Sequence, residues 1–134
     1  MSDNRYTDLE QTIGYCFNDK SLLDIAFTHK SYSNEVLIKK FESYERFEFL
    51  GDAILEYIVS EYLFQNYSKL SEGKLTKLRA SLVCEFTLSK ISRELKFGKY
   101  GKFSKGESLT GGNNRDSILC DMFESVLGAI NLDG

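Results

Sequence analysis

The stretch Glu45-Arg46-Phe47-Glu48-Phe49-Leu50-Gly51-Asp52-Ala53-Ile54-Leu55 sets three carboxylates into an otherwise apolar run. On a helix of 3.6 residues per turn, positions 45, 48 and 52 fall within a sector about 60° wide. Three negative charges on one stripe repel unless a cation neutralises them. The stripe therefore reads as a holder of divalent metal, and carboxylate-held metal usually serves phosphate chemistry. The predicted helix runs from about Glu42 to Tyr67. Phe47, Leu50, Ile54, Tyr57 and Ile58 form its apolar face, while Phe49, Ala53 and Leu55 flank the acids. An element apolar around most of its circumference is expected to be central and buried.

Working outward, a short helix is predicted at residues 8–15. A second, with Asn18 or Asp19 as cap, carries Leu22, Leu23, Ile25, Ala26 and Phe27. Residues 32–41 are polar and read as a turn and loop. Ser71-Glu72-Gly73 opens a basic helix lined by Leu75, Leu78, Leu82 and Val83, and another follows over residues 85–95. Five glycines punctuate residues 97–114, leaving room for one short helix. The final helix spans about Asn114–Asn131, with Asn113 or Asn114 as its cap. The chain has no proline, which suits an all-α fold.

The last helix repeats the acidic device. Asp121 and Glu124 lie three apart, on one face, among Leu119, Met122, Phe123 and Val126. One such pair is commonplace on a surface. Two sets on apolar helices can converge into an oxygen-rich cage that suits hard Mg²⁺ or Mn²⁺. Zinc is disfavoured, because His29 is the single histidine and Cys16, Cys84 and Cys120 form no CxxC pair. Phosphohydrolases built on paired His and Asp are excluded on the same count. Serine–histidine catalysis would need His29 beside Ser31 or Ser33, whereas a lone histidine at a helix end more often caps or packs.

Length and composition agree. At 134 residues, 42% hydrophobic, the chain makes one domain with a real core. No apolar run reaches the ~20 residues of a membrane span. The polar N-terminus lacks signal character, and a cytoplasmic protein with reduced cysteines is expected. The net charge of −3 argues against indiscriminate nucleic-acid binding. Its distribution is uneven: residues 66–115 hold eleven Lys/Arg against four Asp/Glu. An acidic part could hold metal while a basic part holds a polyanion.

ERFEFLGDAILEYIV resembles the signature helix of the ribonuclease III family, close to ERLEFLGDAVL. THKSY (28–32) resembles its THRSY-type segment, EGKLTKLRASLV (72–83) its EGxLxxxRxxLV segment, and RDSILCDMFESVLGAINLDG (115–134) its RxSILADxxEAxxGAxYLDxG segment. The four follow the family's order and cover essentially the whole chain. Phe47 for Leu, Phe123 and Ser125 in a V-E-A stretch, and Asn131 for Tyr or Phe are departures, none at a carboxylate.

The resemblance implies the helical ribonuclease III endonuclease-domain fold and Mg²⁺-dependent cleavage of double-stranded RNA, with Mn²⁺ as a substitute ion. Glu48, Asp52, Asp121 and Glu124 match its metal-binding carboxylates, Asp52 and Glu124 being those treated as most directly catalytic. Glu45 and Glu72 match outer acids. A homodimer is implied, with Phe49 matching the aromatic that plugs into the partner. Products would carry 5′-phosphate and 3′-hydroxyl ends with a short 3′ overhang, and ribosomal RNA precursors are the expected substrates. Lys74, Lys77, Arg79, Lys102, Lys105 and Arg115 are candidate backbone contacts. Bacterial relatives continue into a double-stranded-RNA-binding domain, so residues 1–134 read as a C-terminally truncated catalytic domain. A non-catalytic RNA-binding or ribosome-associated scaffold is the competing reading, and such proteins typically lose cleft acids. A metallophosphatase acting on small substrates is the other.

Overall fold

A computed structural model describes residues 4–32 and 43–134 of the chain. The loop expected at 32–41 lies almost wholly outside them. Among the described residues the helical periodicities become α1 (Thr7–Ile13), α2 (Ser21–Ala26), α3 (Glu45–Asn66), α4 (Glu72–Leu82), α5 (Glu85–Glu94), α6 (Lys105–Leu109) and α7 (Asp116–Asp133). Three 3₁₀ turns, Asn4–Tyr6, Phe97–Tyr100 and Gly112–Asn114, join them. The described residues hold no strand, only an isolated parallel bridge between Thr28 and Lys102. The all-α expectation holds.

Local chemistry sets the boundaries. Gly14 ends α1 with φ of 73°, a left-handed cap that glycine adopts without a Cβ clash. The Ser71 and Ser104 hydroxyls accept the Lys74 and Glu107 backbone N–H groups, capping α4 and α6. The predicted cap of α2 shifts by one residue: Lys20 takes that position with no side-chain cap bond, while Asp19 accepts from the Ser21 backbone N–H at 3.0 Å. The cap of α7 differs from expectation. Arg115 takes that position with no side-chain cap bond. Asn114 is diverted: its Oδ1 accepts from Arg93 Nε at 3.3 Å and its carbonyl from the same guanidinium at 3.1 Å.

The centre of the molecule is α7, which buries Ile118, Leu119, Met122, Glu124, Ser125, Val126, Gly128 and Ala129. Around it gather Tyr6, Leu9, Phe17, Leu23, Phe27, Phe97 and Tyr100. The Ser125 hydroxyl donates to the Ala26 carbonyl at 2.6 Å, fixing α7 to α2. Asp133 accepts from the Tyr15 hydroxyl at 2.6 Å and from the Asn18 and Asn-adjacent Asp19 backbone N–H groups at 2.8 Å, clasping the far end of α7 to the N-terminal segment.

The expectation that α3 is buried all round is corrected. It buries Phe47, Gly51 and Leu63, but Tyr57, Ile58, Tyr62 and Phe64 are exposed. Within one chain α7 covers the first half of α3 and α4 covers part of the second, so the remaining apolar surface faces outward. Where α3 and α7 cross, glycine is required on both sides. A Cβ at Gly51 would collide with the Glu124 carbonyl, and one at Gly128 with the Phe47 carbonyl. The two backbones therefore touch, and that contact places the acids of one helix against those of the other.

Candidate metal centre

Gly51 separates Glu48 from Asp52 along α3, and the α7 backbone crossing it belongs to Glu124 itself. The acids consequently meet in pairs. Glu48 faces Asp121, and Asp52 faces Glu124. Burial and mutual repulsion both disfavour the charged forms of such facing acids. Burial, then Asp121, pushes Glu48 up to about 7. Burial, then Asp52, pushes Glu124 up to about 8. Asp121 is also raised by burial, against the opposing hydrogen bonds of Glu48 and Tyr44. A cation would supply the missing positive charge in place of the protons.

Cys120 joins this cluster unannounced by the sequence reading. Its sulfur and carboxylate oxygens of Asp121 and Glu124 all lie within 4.8 Å of one another. The signal was its place beside Asp121 and one turn before Glu124. Burial pushes its thiol up to about 12, so it sits there as a neutral group. Tyr44 is the other addition. Its hydroxyl donates to Asp121 Oδ2 at 3.3 Å, and burial holds the hydroxyl far above the usual phenol range.

A pocket of about 370 Å³ opens onto Glu48 and Asp121, walled by His29, Tyr44, Glu45 and Arg115. Glu45 stands exposed on the first turn of α3, and Asp52 is also exposed. Glu72 lies elsewhere, in a larger groove of about 550 Å³ between α3 and α4 that Tyr57, Phe64 and Arg79 also line. That groove is larger and more apolar; the smaller pocket is lined by Glu48 and Asp121 but not by Asp52 or Glu124. Phe49 is 81% exposed beside the acids. His29 does meet Ser31, with Nδ1 2.8 Å from its hydroxyl, but the Ser104 N–H donates to the same oxygen. The imidazole packs against Tyr44 and Phe103, and burial lowers its pKa. It is a packing and turn residue, not the base of a nucleophilic serine.

The basic residues divide. Lys74 and Lys77 are exposed on α4, and Lys105 is exposed at the start of α6. Arg79 bonds the Ser60 hydroxyl at 2.8 Å and faces Glu56 at 3.5 Å. Lys102 lies 3.6 Å from Asp24, and Arg115 is paired with Glu107. Helical spacing could not reveal these ties, because the acids come from other elements.

The structure is thus an all-α fold whose first long helix and last helix bring acidic side chains face to face across a glycine crossing. The chain belongs to the ribonuclease III family: a family model described as Ribonuclease-III-like matches residues 19–134. Ribonuclease 3 of Pediococcus pentosaceus is 51% identical over 126 residues, covering 94% of this chain and 54% of that protein. Ribonuclease 3 of Bacillus cereus is 52% identical over 124 residues, covering 92% and 51%. The chain thus spans about half the length of these relatives. A solved nuclease domain of ribonuclease III from Campylobacter jejuni, described for structural flexibility in a region involved in dimer formation, superimposes with a TM-score of 0.89. It is 45% identical, and the match covers 96% of this chain and 86% of that one. Dicer from Pichia stipitis superimposes at 0.61 with 30% identity, over 86% of this chain and 46% of its own.

Proposed function

We propose that residues 1–134 act as one catalytic domain, a homodimeric endoribonuclease that hydrolyses double-stranded RNA. The convergence of Glu48 and Asp52 with Asp121 and Glu124 carries this reading. Their hard oxygens and mutual repulsion fit Mg²⁺, with Mn²⁺ as a substitute. A bound divalent ion supplies such a site with Lewis acidity and an acidified water. Asp52 and Glu124 stand closest to the reaction in this scheme. Glu48 and Asp121 complete the ion's hold, Glu45 marks the outer rim, and Glu72 is a more distant acid. Products would be 5′-phosphate and 3′-hydroxyl ends with a short 3′ overhang, and ribosomal RNA precursors are the expected class of substrate.

An A-form duplex is recognised by its shape, phosphates and 2′-hydroxyls. Lys74, Lys77 and Lys105 are the exposed candidates for phosphate contact. Arg79, Lys102 and Arg115 would have to exchange an internal acid for a phosphate. The uncovered face of α3 fits a second copy of the chain. Phe49 of one subunit would enter its partner, and the outward Tyr57, Tyr62 and Phe64 would become interface. Among the described residues no helix is long and apolar enough to cross a membrane. A cytoplasmic place of action belongs to this reading.

The decisive assay is Mg²⁺-dependent cleavage of a long RNA duplex at low ionic strength, run beside Glu124→Ala. Cleavage by the wild type and none by the variant is expected, and rising salt should suppress it by screening phosphate contacts. Equal inertness of both, with RNA still bound, would favour a non-catalytic scaffold. Phosphate release from nucleotides without duplex cleavage would favour a phosphatase. Sedimentation of the purified chain with and without Mg²⁺ tests the dimer.

A further inference from the structure

Tyr44 ties together three walls of the carboxylate pocket. Its backbone N–H donates to the Thr28 carbonyl at 2.9 Å, and its own carbonyl accepts the Glu48 N–H at 2.8 Å. Its ring is only 3% exposed and meets the His29 ring edge-on with centroids 5.9 Å apart. The ring is therefore fixed by packing, and its hydroxyl is held toward α7, where it donates to Asp121 Oδ2 at 3.3 Å. The same carboxylate faces Glu48 from α3. Among the described residues, the hydroxyl of Tyr44 is a neutral donor to this acidic group.

We propose that Tyr44 is a positioning residue for the metal centre: its hydroxyl engages one oxygen of Asp121 and so fixes the carboxylate's rotation, leaving the other oxygen to the cation. Without that bond Asp121 rotates about its own side-chain torsions, and the cation must order it on binding. This rests on the reading that the carboxylates hold a divalent ion. Outer groups that orient metal ligands typically carry ten- to hundredfold in affinity. The 3.3 Å length places Tyr44 at about the tenfold end.

Tyr44→Phe keeps the packed ring and removes only the hydroxyl. The test is Mn²⁺ binding to the RNA-free chain, followed by calorimetry or by the free-ion paramagnetic signal. The variant should melt within a degree or two of wild type without metal, yet bind Mn²⁺ about tenfold more weakly. Its Mg²⁺ requirement for duplex cleavage should rise by the same factor, with the rate recovering at saturating metal. Tyr44→Ala, which also removes the ring, should lose metal-free stability as well. Unchanged Mn²⁺ affinity in a folded Tyr44→Phe would overturn the proposal. So would a cleavage defect that saturating Mg²⁺ does not repair. If wild type itself binds no Mn²⁺, it is the metal-centre reading that fails, a distinct result.

Discussion

The two halves of α3 differ in what completes them. The first half is sealed against α7 so closely that glycine is required at 51 and 128. The second half leaves Tyr57, Ile58, Tyr62 and Phe64 in solvent. Both halves read alike in the sequence, as apolar positions at helical spacing. One is finished inside the chain, and the other is an unfilled surface of the kind that marks an interface. Glu48 and Asp52 sit on the finished half, next to the unfinished one, so under the proposed function chemistry would rest on the close seam and assembly would use the free face.

The largest break in this contrast should come from Gly51→Ala. A methyl group there must displace the Glu124 backbone, at a cost of at least about 3 kcal/mol. Thermal unfolding should show loss of the cooperative transition, whereas Ala53→Gly, on an exposed part of the same helix, should cost about 1 kcal/mol. Next, Glu124→Gln should lower Mg²⁺-dependent cleavage by about 10²-fold or more while leaving the seam closed. It removes a charge from a crowded cluster, so the metal-free protein should melt higher than wild type at pH 8. A lower melting point would show that the ionised acid contributes to the fold.

On the outward side of the first half, Phe49→Ala should weaken dimerisation by about 2 kcal/mol, roughly thirtyfold in Kd, as for a central aromatic anchor. Sedimentation equilibrium measures this, and an unchanged Kd would remove Phe49 from the interface. The smallest effect is in pH. Glu48 and Glu124 keep protons in the fold up to about 7 and about 8, but release them near 4.5 when unfolded. Between those values the folded state binds more protons, so metal-free stability should fall as pH rises. A melting series from pH 5 to 8 should decline by a few degrees. Mg²⁺ should raise the melting point more at pH 8 than at pH 5.

Much of this architecture was legible. The long helices declare themselves through 3.6-residue spacing, and the acid pairs through their apolar surroundings. The crossing that joins them was not. Gly51 and Gly128 are silent in a pattern reading, since a glycine in a helix usually signals weakness rather than contact. Nor could periodicity tell that Leu63 is buried while Phe64 is exposed, because apolar spacing marks a surface to be covered without naming what covers it. Asn114 failed as a predicted cap because Arg93, twenty-one residues earlier, claims it. Cys120 and Tyr44 entered the site through neighbours in space. The ion pairs of Arg79, Lys102 and Arg115 were hidden for the same reason.

The partner that α3 needs is the last helix of the described chain. During synthesis α3 is complete long before residues 121–129 have been made, so its acids and its glycine notch wait without a counterpart. Contacts of such long sequence separation close late and slowly. A nascent chain paused before Ala129 would therefore carry an unsealed, sticky helix, and the carboxylate cluster could come together only after translation has passed that point.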